Sequence, residues 1–244
     1  MKVMLFDGSM EELLMAVYHV YVDKEEPILY RESDYERNLI DEPYSLSYDE
    51  EAFNRVRSSM TAKFSQETLS IISYALNHKD PSAPNLVLKY IISCFRNPRN
   101  AHNYQDELIM KVTKLSRQVS LESQRFTGFI RFSLVGSVYM AKIDPDHDIL
   151  SFIAPHFADR YEDMNFIIYD EKRHEAVVSQ NGQWSVKKNI SLDEKLLKED
   201  STIEKWQQYF THISITSRLN PKAQKRSMPV RYWKNLPETK EKTN

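Results

Sequence analysis

The chain has 244 residues, of which 41% are hydrophobic and 28% are charged, a composition typical of a soluble globular protein with a buried core. No apolar run approaches the roughly 20 residues that a membrane helix needs. The N-terminal sequence MKVMLFDGSMEELL has acidic residues on both sides of Gly8 and no small-residue cleavage site. We therefore expect no membrane association, no secretory signal and a cytoplasmic location.

The cysteine, glycine and histidine patterns argue against several kinds of site. Cys94 is the only cysteine, which excludes an internal disulfide and a metal site built from several thiolates. It falls in the helical pattern LVLKYIISCF, which favours a small buried side chain over a reactive thiol. The four glycines are not spaced as a phosphate-binding loop, and no close histidine pair with a carboxylate is found on one helix face. We predict no cofactor and no metal.

The net charge of −2 hides an uneven distribution. Residues 1–60 carry 6 Lys/Arg and 14 Asp/Glu, whereas residues 214–244 carry 8 Lys/Arg and 2 Asp/Glu. This division is typical of a protein whose acidic and basic faces serve different partners. The alternative is that the two segments pack together and neutralise each other.

In the N-terminal half, KVMLF predicts a strand, and Ser9 with Glu12 predicts a capping box that starts a helix. Residues 27–46 lack a clear period, except that PILY indicates a short strand. Ser47 and Glu50 predict a second capping pair. Apolar residues at steps of three and four then predict four helices over residues 48–124.

Beyond residue 124 the apolar residues alternate, which indicates strands. The run FTGFIRFSLVGSVYMAKI predicts a hairpin, and NFIIYD, EAVVSQ and QWSVKK predict three more strands, the last two joined by the turn Asn181-Gly182. Between them, DPDHDILSFIAPHFADRY predicts a helix, and STIEKWQQYFTHI predicts a last helix before the basic tail.

These elements predict an α+β fold in one domain, residues 1–244, with a mostly antiparallel sheet formed by the N-terminal strand and the meander. Residues 1–47 and 125–215 would form the α+β core, with residues 48–124 as an inserted helical block. Residues 216–244 would form a basic aromatic C-terminal segment.

A first candidate site lies in the segment IAPHFADRYEDMNFIIYDEKR. His156 and Arg160 share a helix face, and Arg131 lies on the predicted strand FIRF. If that strand neighbours NFIIYD, these three residues and Asp170 can form a cluster. Arginines there would bind phosphate, and His156 could transfer a proton with Asp170 orienting it. The alternative is structural: Asp159 or Asp170 would pair with Arg160 or Arg173, and His156 would cap a carbonyl.

A second candidate site is the C-terminal run RLNPKAQKRSMPVRYWKNLPE, which interleaves cations with Tyr232 and Trp233. Cations neutralise phosphates and exposed aromatic rings stack on bases. The residues that we predict to bind phosphate or nucleic acid across the two sites are Arg131, Arg160, Arg173, Arg218, Arg231, Tyr232 and Trp233. Alternatively, PVRYW anchors the chain, with Trp233 packed into the body.

A further basic group occurs in the helical block, where a solvated helix face is the simpler interpretation. Its members are Arg96, Arg99, Lys111, Lys114 and Arg117.

The ordered combination of YMAKIDPDHDILSFIAPHFADRYEDMNFIIYDEKR with the C-terminal run resembles a bacterial family of DNA repair or DNA metabolism proteins, whose shared region is a domain of unknown function. LFDGSMEELLMAVY and RFTGFIRF also resemble that family, so the resemblance covers nearly the full chain. It implies a DNA-related role and a radical-SAM protein as partner, and similar domains are fused to uracil-DNA-glycosylase-like modules elsewhere. The positions that match the family pattern are Arg131, His156, Phe157, Arg160, Asp170, Arg173, Arg218, Pro229, Arg231, Tyr232 and Trp233.

The chain lacks the three-cysteine motif of a radical-SAM enzyme, so it would assist such a partner rather than replace it. We expect a nucleic-acid-binding accessory protein that presents DNA to the partner. The first alternative is an enzyme acting on DNA through His156. The second is a structural adaptor that makes no contact with nucleic acid.

Overall fold

A computed structural model describes residues 2–37, 40–45, 48–191, 222, 225–226 and 228–236. The chain divides into two compact units, Met1–Leu121 and Glu122–Asn244. Compactness alone does not show that a unit folds independently, so the single domain stays a prediction. The predicted helix STIEKWQQYFTHI and Arg218 lie outside the described residues.

The first unit contains a three-stranded sheet that the sequence did not predict as a separate sheet. Strand β1 (Lys2–Phe6) leads into helix α1 (Met10–Asp23), and β1 pairs in parallel with β2 (Ile28–Arg31) and β3 (Glu42–Tyr44). The prediction that β1 joins the C-terminal meander is therefore wrong. Buried strands of a parallel sheet are apolar on both faces, which fits the continuous run KVMLF. The predicted strand at PILY is confirmed, whereas β3 was missed.

The helical predictions for this half of the chain are confirmed. The Ser9 hydroxyl accepts from the Glu12 amide at 3.2 Å, as a helix N-cap requires. The four helices that follow are α2 (Glu50–Lys63), α3 (Gln66–Leu76), α4 (Ala83–Arg96) and α5 (Glu107–Phe129). The N-cap of α2 is Asp49, which accepts from the Ala52 amide, so the predicted cap at Ser47, which lies outside the described residues, is wrong. Cys94 is fully buried, and burial raises the pKa of its thiol to about 11, so it behaves as a core residue.

The second unit contains a five-stranded sheet in the order β4-β5-β6-β7-β8. The strands are β4 (Ser133–Val135), β5 (Val138–Ile143), β6 (Phe166–Asp170), β7 (Glu175–Gln180) and β8 (Gln183–Lys187). Helix α6 (Leu150–Arg160) connects β5 to β6, which pair in parallel, whereas the other pairs are antiparallel. The α+β class is confirmed, but this sheet is mixed and the first sheet is parallel, so the antiparallel prediction holds only in part.

The sequence FTGFIRF does not form the predicted strand. Helix α5 continues to Phe129, and its buried residues Val119, Phe126 and the following Ile130 recur at helical spacing. Alternation within FTGFIRF was therefore misleading, because seven residues are too few to separate a period of 2 from one of 3.6. Arg131 lies in the connection between α5 and β4. None of the helices among the described residues combines the length and hydropathy of a membrane span.

Candidate functional site

The parallel pair β5 and β6 ends at one edge of the sheet, where Ile143 lies beside Asp170. The Glu171 amide donates to the Ile143 carbonyl at 3.0 Å, which fixes the start of the two loops beyond the strands. In open α/β sheets, ligand sites form outside the carboxyl ends of parallel strands. We call this place the carboxyl edge. Its side chains come from the loop DPDHD, residues 144–148, from the turn DEKR, residues 170–173, from Glu122 of α5, and from the C-terminal segment, by which we mean the described residues between 222 and 236.

Glu122 lies at the centre of the carboxyl edge. Its buried carboxylate accepts hydrogen bonds from the amides of Asp146 (2.9 Å) and His147 (2.7 Å) and from the hydroxyl of Tyr232. A carboxylate taken out of water needs such donors to offset its lost solvation. Glu122 therefore fastens both the DPDHD loop and the C-terminal segment to the end of α5.

Tyr232 anchors the C-terminal segment. Its ring is buried, lies edge-on to Phe126 at 5.0 Å between ring centres, and is followed by the buried Leu236. Burial and the neighbouring Glu122 raise the pKa of Tyr232, which keeps its hydroxyl protonated as a donor. The buried ring gives no support to the prediction that Tyr232 stacks on a nucleic-acid base. The anchoring interpretation fits, although Tyr232 is the buried residue and Trp233 is half-buried.

The charged neighbours of Tyr232 remain open to solvent. Arg231 donates from Nη2 to the Tyr232 hydroxyl at 2.7 Å, and its Nε lies 3.1 Å from Asp146 Oδ2. The Lys234 ammonium lies 2.7 Å from Glu171 Oε2, and Lys142 reaches the other oxygen of Glu171 at 2.6 Å. The side chains of Arg231 and Lys234 are 56% and 58% exposed, so these ion pairs are accessible to competing anions.

Asp170 and Arg173 form a structural pair. Asp170 is fully buried, its Oδ2 lies 2.8 Å from Arg173 Nη1, and its Oδ1 accepts from the Lys172 amide at 2.9 Å. Burial raises the pKa of Asp170, and Arg173 opposes that rise. Arg173 Nη2 also donates to the Asp146 carbonyl at 2.9 Å. The pair thus joins the two loops of the carboxyl edge, and neither residue is placed as a free catalytic or phosphate-binding group.

No contact found among the described residues joins the predicted cluster of Arg131, His156, Arg160 and Asp170. His156 and Arg160 are exposed on α6, where they contact the rings of Phe157 and Tyr161, and within the described residues no hydrogen bond or ion pair links them to Asp170. Helix α6 returns from the carboxyl end of β5 to the amino end of β6. Asp170 ends that strand, so it lies about 13 Å beyond its first residue. The role of His156 as a base oriented by Asp170 is therefore not supported.

The side chain of Arg131 hydrogen-bonds to the C-terminal end of α5. Its Nη1 donates to the carbonyls of Gly128 at 2.8 Å and Ile130 at 3.2 Å. Gly128 lies in the last turn and Ile130 directly follows the helix. Carbonyls at this end lack helical donors and are stabilised by a nearby cation. The position assigned to Arg131 on a strand is wrong because the helix extends to Phe129.

Sequence reasoning missed Glu122, although one signal was available. Glu122 falls between Val119 and Phe126 on the buried face of α5, and a charged residue in an apolar stripe indicates a buried partner.

Glu175 was also missed. It lies opposite Asp170 on β7, and burial together with the nearby Asp148 raises its pKa. No set of three or more His, Cys, Asp or Glu within the described residues is placed to hold a metal.

These features define a class of protein: an α+β protein in which an anchored C-terminal segment covers the carboxyl edge of a parallel strand pair. The chain matches the model of DUF4130, a domain of unknown function, over residues 81–238, and it belongs to that family. The match includes the DPDHD loop, Glu122 and Tyr232. No curated protein and no solved structure matches the chain.

Proposed function

We propose that this protein binds nucleic acid as an accessory factor in DNA repair or DNA metabolism, with the C-terminal segment as the phosphate-binding surface. One observation carries the proposal: the segment is anchored by buried Tyr232, yet its cations face solvent. Residues 222–236 contain five Lys or Arg and no Asp or Glu. The exposed cations of the segment are Lys222, Lys225, Arg226, Arg231 and Lys234.

An anchored basic segment suits a polyanion for two physical reasons. Each cation that neutralises a phosphate releases a condensed counterion, which favours binding at low salt. Holding the segment against the protein before binding lowers the entropy lost on association. The pairs of Arg231 with Asp146 and Lys234 with Glu171 oppose this only weakly, because exposed ion pairs contribute about 0–1 kcal/mol.

The burial of Tyr232 changes the expected mode of recognition. Because the ring of Tyr232 is buried, the segment offers phosphate contacts, and only the half-buried Trp233 is left to stack on a base. We therefore expect little dependence on base sequence and a steep dependence on salt. Arg160 on α6 is an additional exposed cation, whereas Arg173 and Arg131 support the fold around the site. The radical-SAM partner remains part of the proposal through the sequence resemblance alone.

The test is fluorescence anisotropy with labelled single- and double-stranded DNA over a salt series. The variant Lys225→Glu/Arg226→Glu should bind at least about tenfold more weakly, with a salt slope smaller by about two, since two phosphate contacts are lost. Its matched control is Lys187→Glu/Lys188→Glu, which reverses two adjacent exposed cations elsewhere in the same unit. Absence of binding by the wild type at low salt, or equal losses in both variants, would overturn the proposal. The first result would favour the adaptor alternative.

A further inference from the structure

One face of α5 within the first unit combines exposed apolar and basic side chains. Met110, Lys114, Arg117 and Leu121 recur at steps of four, three and four, so they form one line along the helix. Met110 is 50% exposed and Leu121 is 41% exposed. We call these four residues the α5 stripe. It is about 16 Å long, from eleven residues at 1.5 Å each.

The two cations of the stripe lack a counter-charge among the described residues. Lys114 and Arg117 are exposed, and neither makes an ion pair or hydrogen bond in the part of the chain that the structure describes. Neighbouring Lys111, by contrast, is paired with Glu107 on the same helix at 2.6 Å.

The apolar ends of the stripe favour a protein partner over nucleic acid. Methionine and leucine gain free energy by burial against other apolar side chains and gain little beside a phosphate backbone. Methionine is also enriched at the centres of protein interfaces. The surface that fits the stripe therefore carries carboxylates next to an exposed apolar or aromatic group.

Such a surface exists on the first unit itself. Tyr48 is 58% exposed, and Glu50 and Glu51 are exposed in the first turn of α2. We call these three residues the acidic patch. They belong to residues 1–60, which carry 14 Asp/Glu against 6 Lys/Arg. The carboxylates of Glu50 and Glu51 also have no ion-pair partner among the described residues.

We propose that the α5 stripe of one copy of this chain binds the acidic patch of a second copy. Lys114 and Arg117 pair with Glu50 and Glu51, and the ring of Tyr48 packs on an apolar end of the stripe. Two such contacts related by a twofold axis close a dimer, the commonest symmetric assembly. This interface does not depend on the proposed nucleic-acid binding, because it uses neither the carboxyl edge nor the C-terminal segment.

The test is sedimentation velocity on the full chain over a range of protein concentrations at low and high salt. Wild-type protein should dimerise at low salt and dissociate at high salt, since the pairs are exposed to screening. Lys114→Glu/Arg117→Glu should raise the dimer dissociation constant at least about tenfold, and Glu50→Lys/Glu51→Lys should do the same. The quadruple variant, which exchanges the charges, should dimerise again.

The exchange keeps the test decisive if a double variant loses stability, because recovery by the quadruple variant requires a direct pairing. Lys187→Glu/Lys188→Glu is the control for charge reversal and should leave dimerisation unchanged. A monomer at all concentrations, or a quadruple variant no better than either double variant, would overturn the inference. DNA binding by Lys114→Glu/Arg117→Glu should equal that of the wild type; a selective loss would assign the stripe to nucleic acid instead. Failure of the wild type to bind DNA would affect only the proposed function.

Discussion

The two units differ in what is buried. The first has a continuous apolar core, with Leu13, Ile72, Leu88 and Ile91 among its buried side chains. The second buries two carboxylates, Glu122 and Asp170, and no buried carboxylate is found in the described part of the first. Apolar burial stabilises without directional demands, whereas a buried carboxylate needs particular donors. The second unit therefore specifies the position of a loop and a terminal segment at some cost in stability, as expected for a site.

The largest expected effect comes from breaking the buried pair of the second unit. Asp170→Ala leaves the Arg173 guanidinium without its carboxylate and two loop amides without an acceptor. We expect the free energy of unfolding to fall by about 3–5 kcal/mol. Urea unfolding followed by circular dichroism measures it. Arg173→Ala should be similarly destabilising, and a loss below about 1 kcal/mol in both variants would show that the pair does not organise the edge.

A pair of matched substitutions compares the two units directly. Tyr232→Phe removes a hydroxyl that donates to a buried carboxylate, whereas Tyr90→Phe in the first unit removes a hydroxyl that donates to the Ala101 carbonyl at 3.3 Å. Hydrogen bonds to charged groups contribute about 1.5–3 kcal/mol, and neutral ones about 0.5–1.5 kcal/mol. Tyr232→Phe should thus cost more in urea unfolding. Equal costs would mean that the bond from Tyr232 to Glu122 is no stronger than a neutral one.

Glu175 should make the second unit less stable as the pH rises. Burial and Asp148 raise its pKa, while Lys188 opposes them, so the native state holds the proton more tightly than the unfolded state does. Its contribution favours the native state at low pH and is lost as the pH rises through the native pKa. Between pH 4 and pH 7, the melting temperature of Glu175→Gln should rise relative to that of the wild type. A constant difference across that range would contradict this.

Glu171 should make the second unit less stable as the pH falls, and this is the smallest effect that we expect. Lys142 and Lys234 lower its pKa below the usual 4.5, so its contribution is present above about pH 4.5 and is lost as the pH falls through the native pKa. Screening of these partly exposed pairs limits it to about 0.5 kcal/mol. Glu171→Gln should reduce the loss of stability below pH 4.5, and it should do so less at high salt. Identical acid unfolding curves for the variant and the wild type would show that Glu171 does not contribute to stability in acid.

Local patterns predicted local structure well. The N-cap at Ser9, the helices of the first unit and the turn Asn181-Gly182 depend on neighbours in sequence, and both turn residues adopt the left-handed conformation that such hairpins need. The reciprocal bond of the predicted capping box is replaced, because the Glu12 carboxylate accepts from the Asp7 amide instead. The separate sheet around β1 and the parallel pairing of β5 and β6 depend on distant partners. The carboxyl edge was the hardest to predict, because the bond from Tyr232 to Glu122 joins residues 110 positions apart.

We propose that anchoring, and not charge alone, prepares the C-terminal segment for a polyanion. Tyr232→Ala keeps every cation and removes the anchor, so it separates these two contributions. In DNA-binding anisotropy, at a temperature where circular dichroism shows the variant folded, we predict affinity at least about fivefold below the wild type with an unchanged salt slope. Binding equal to that of the wild type would contradict the claim.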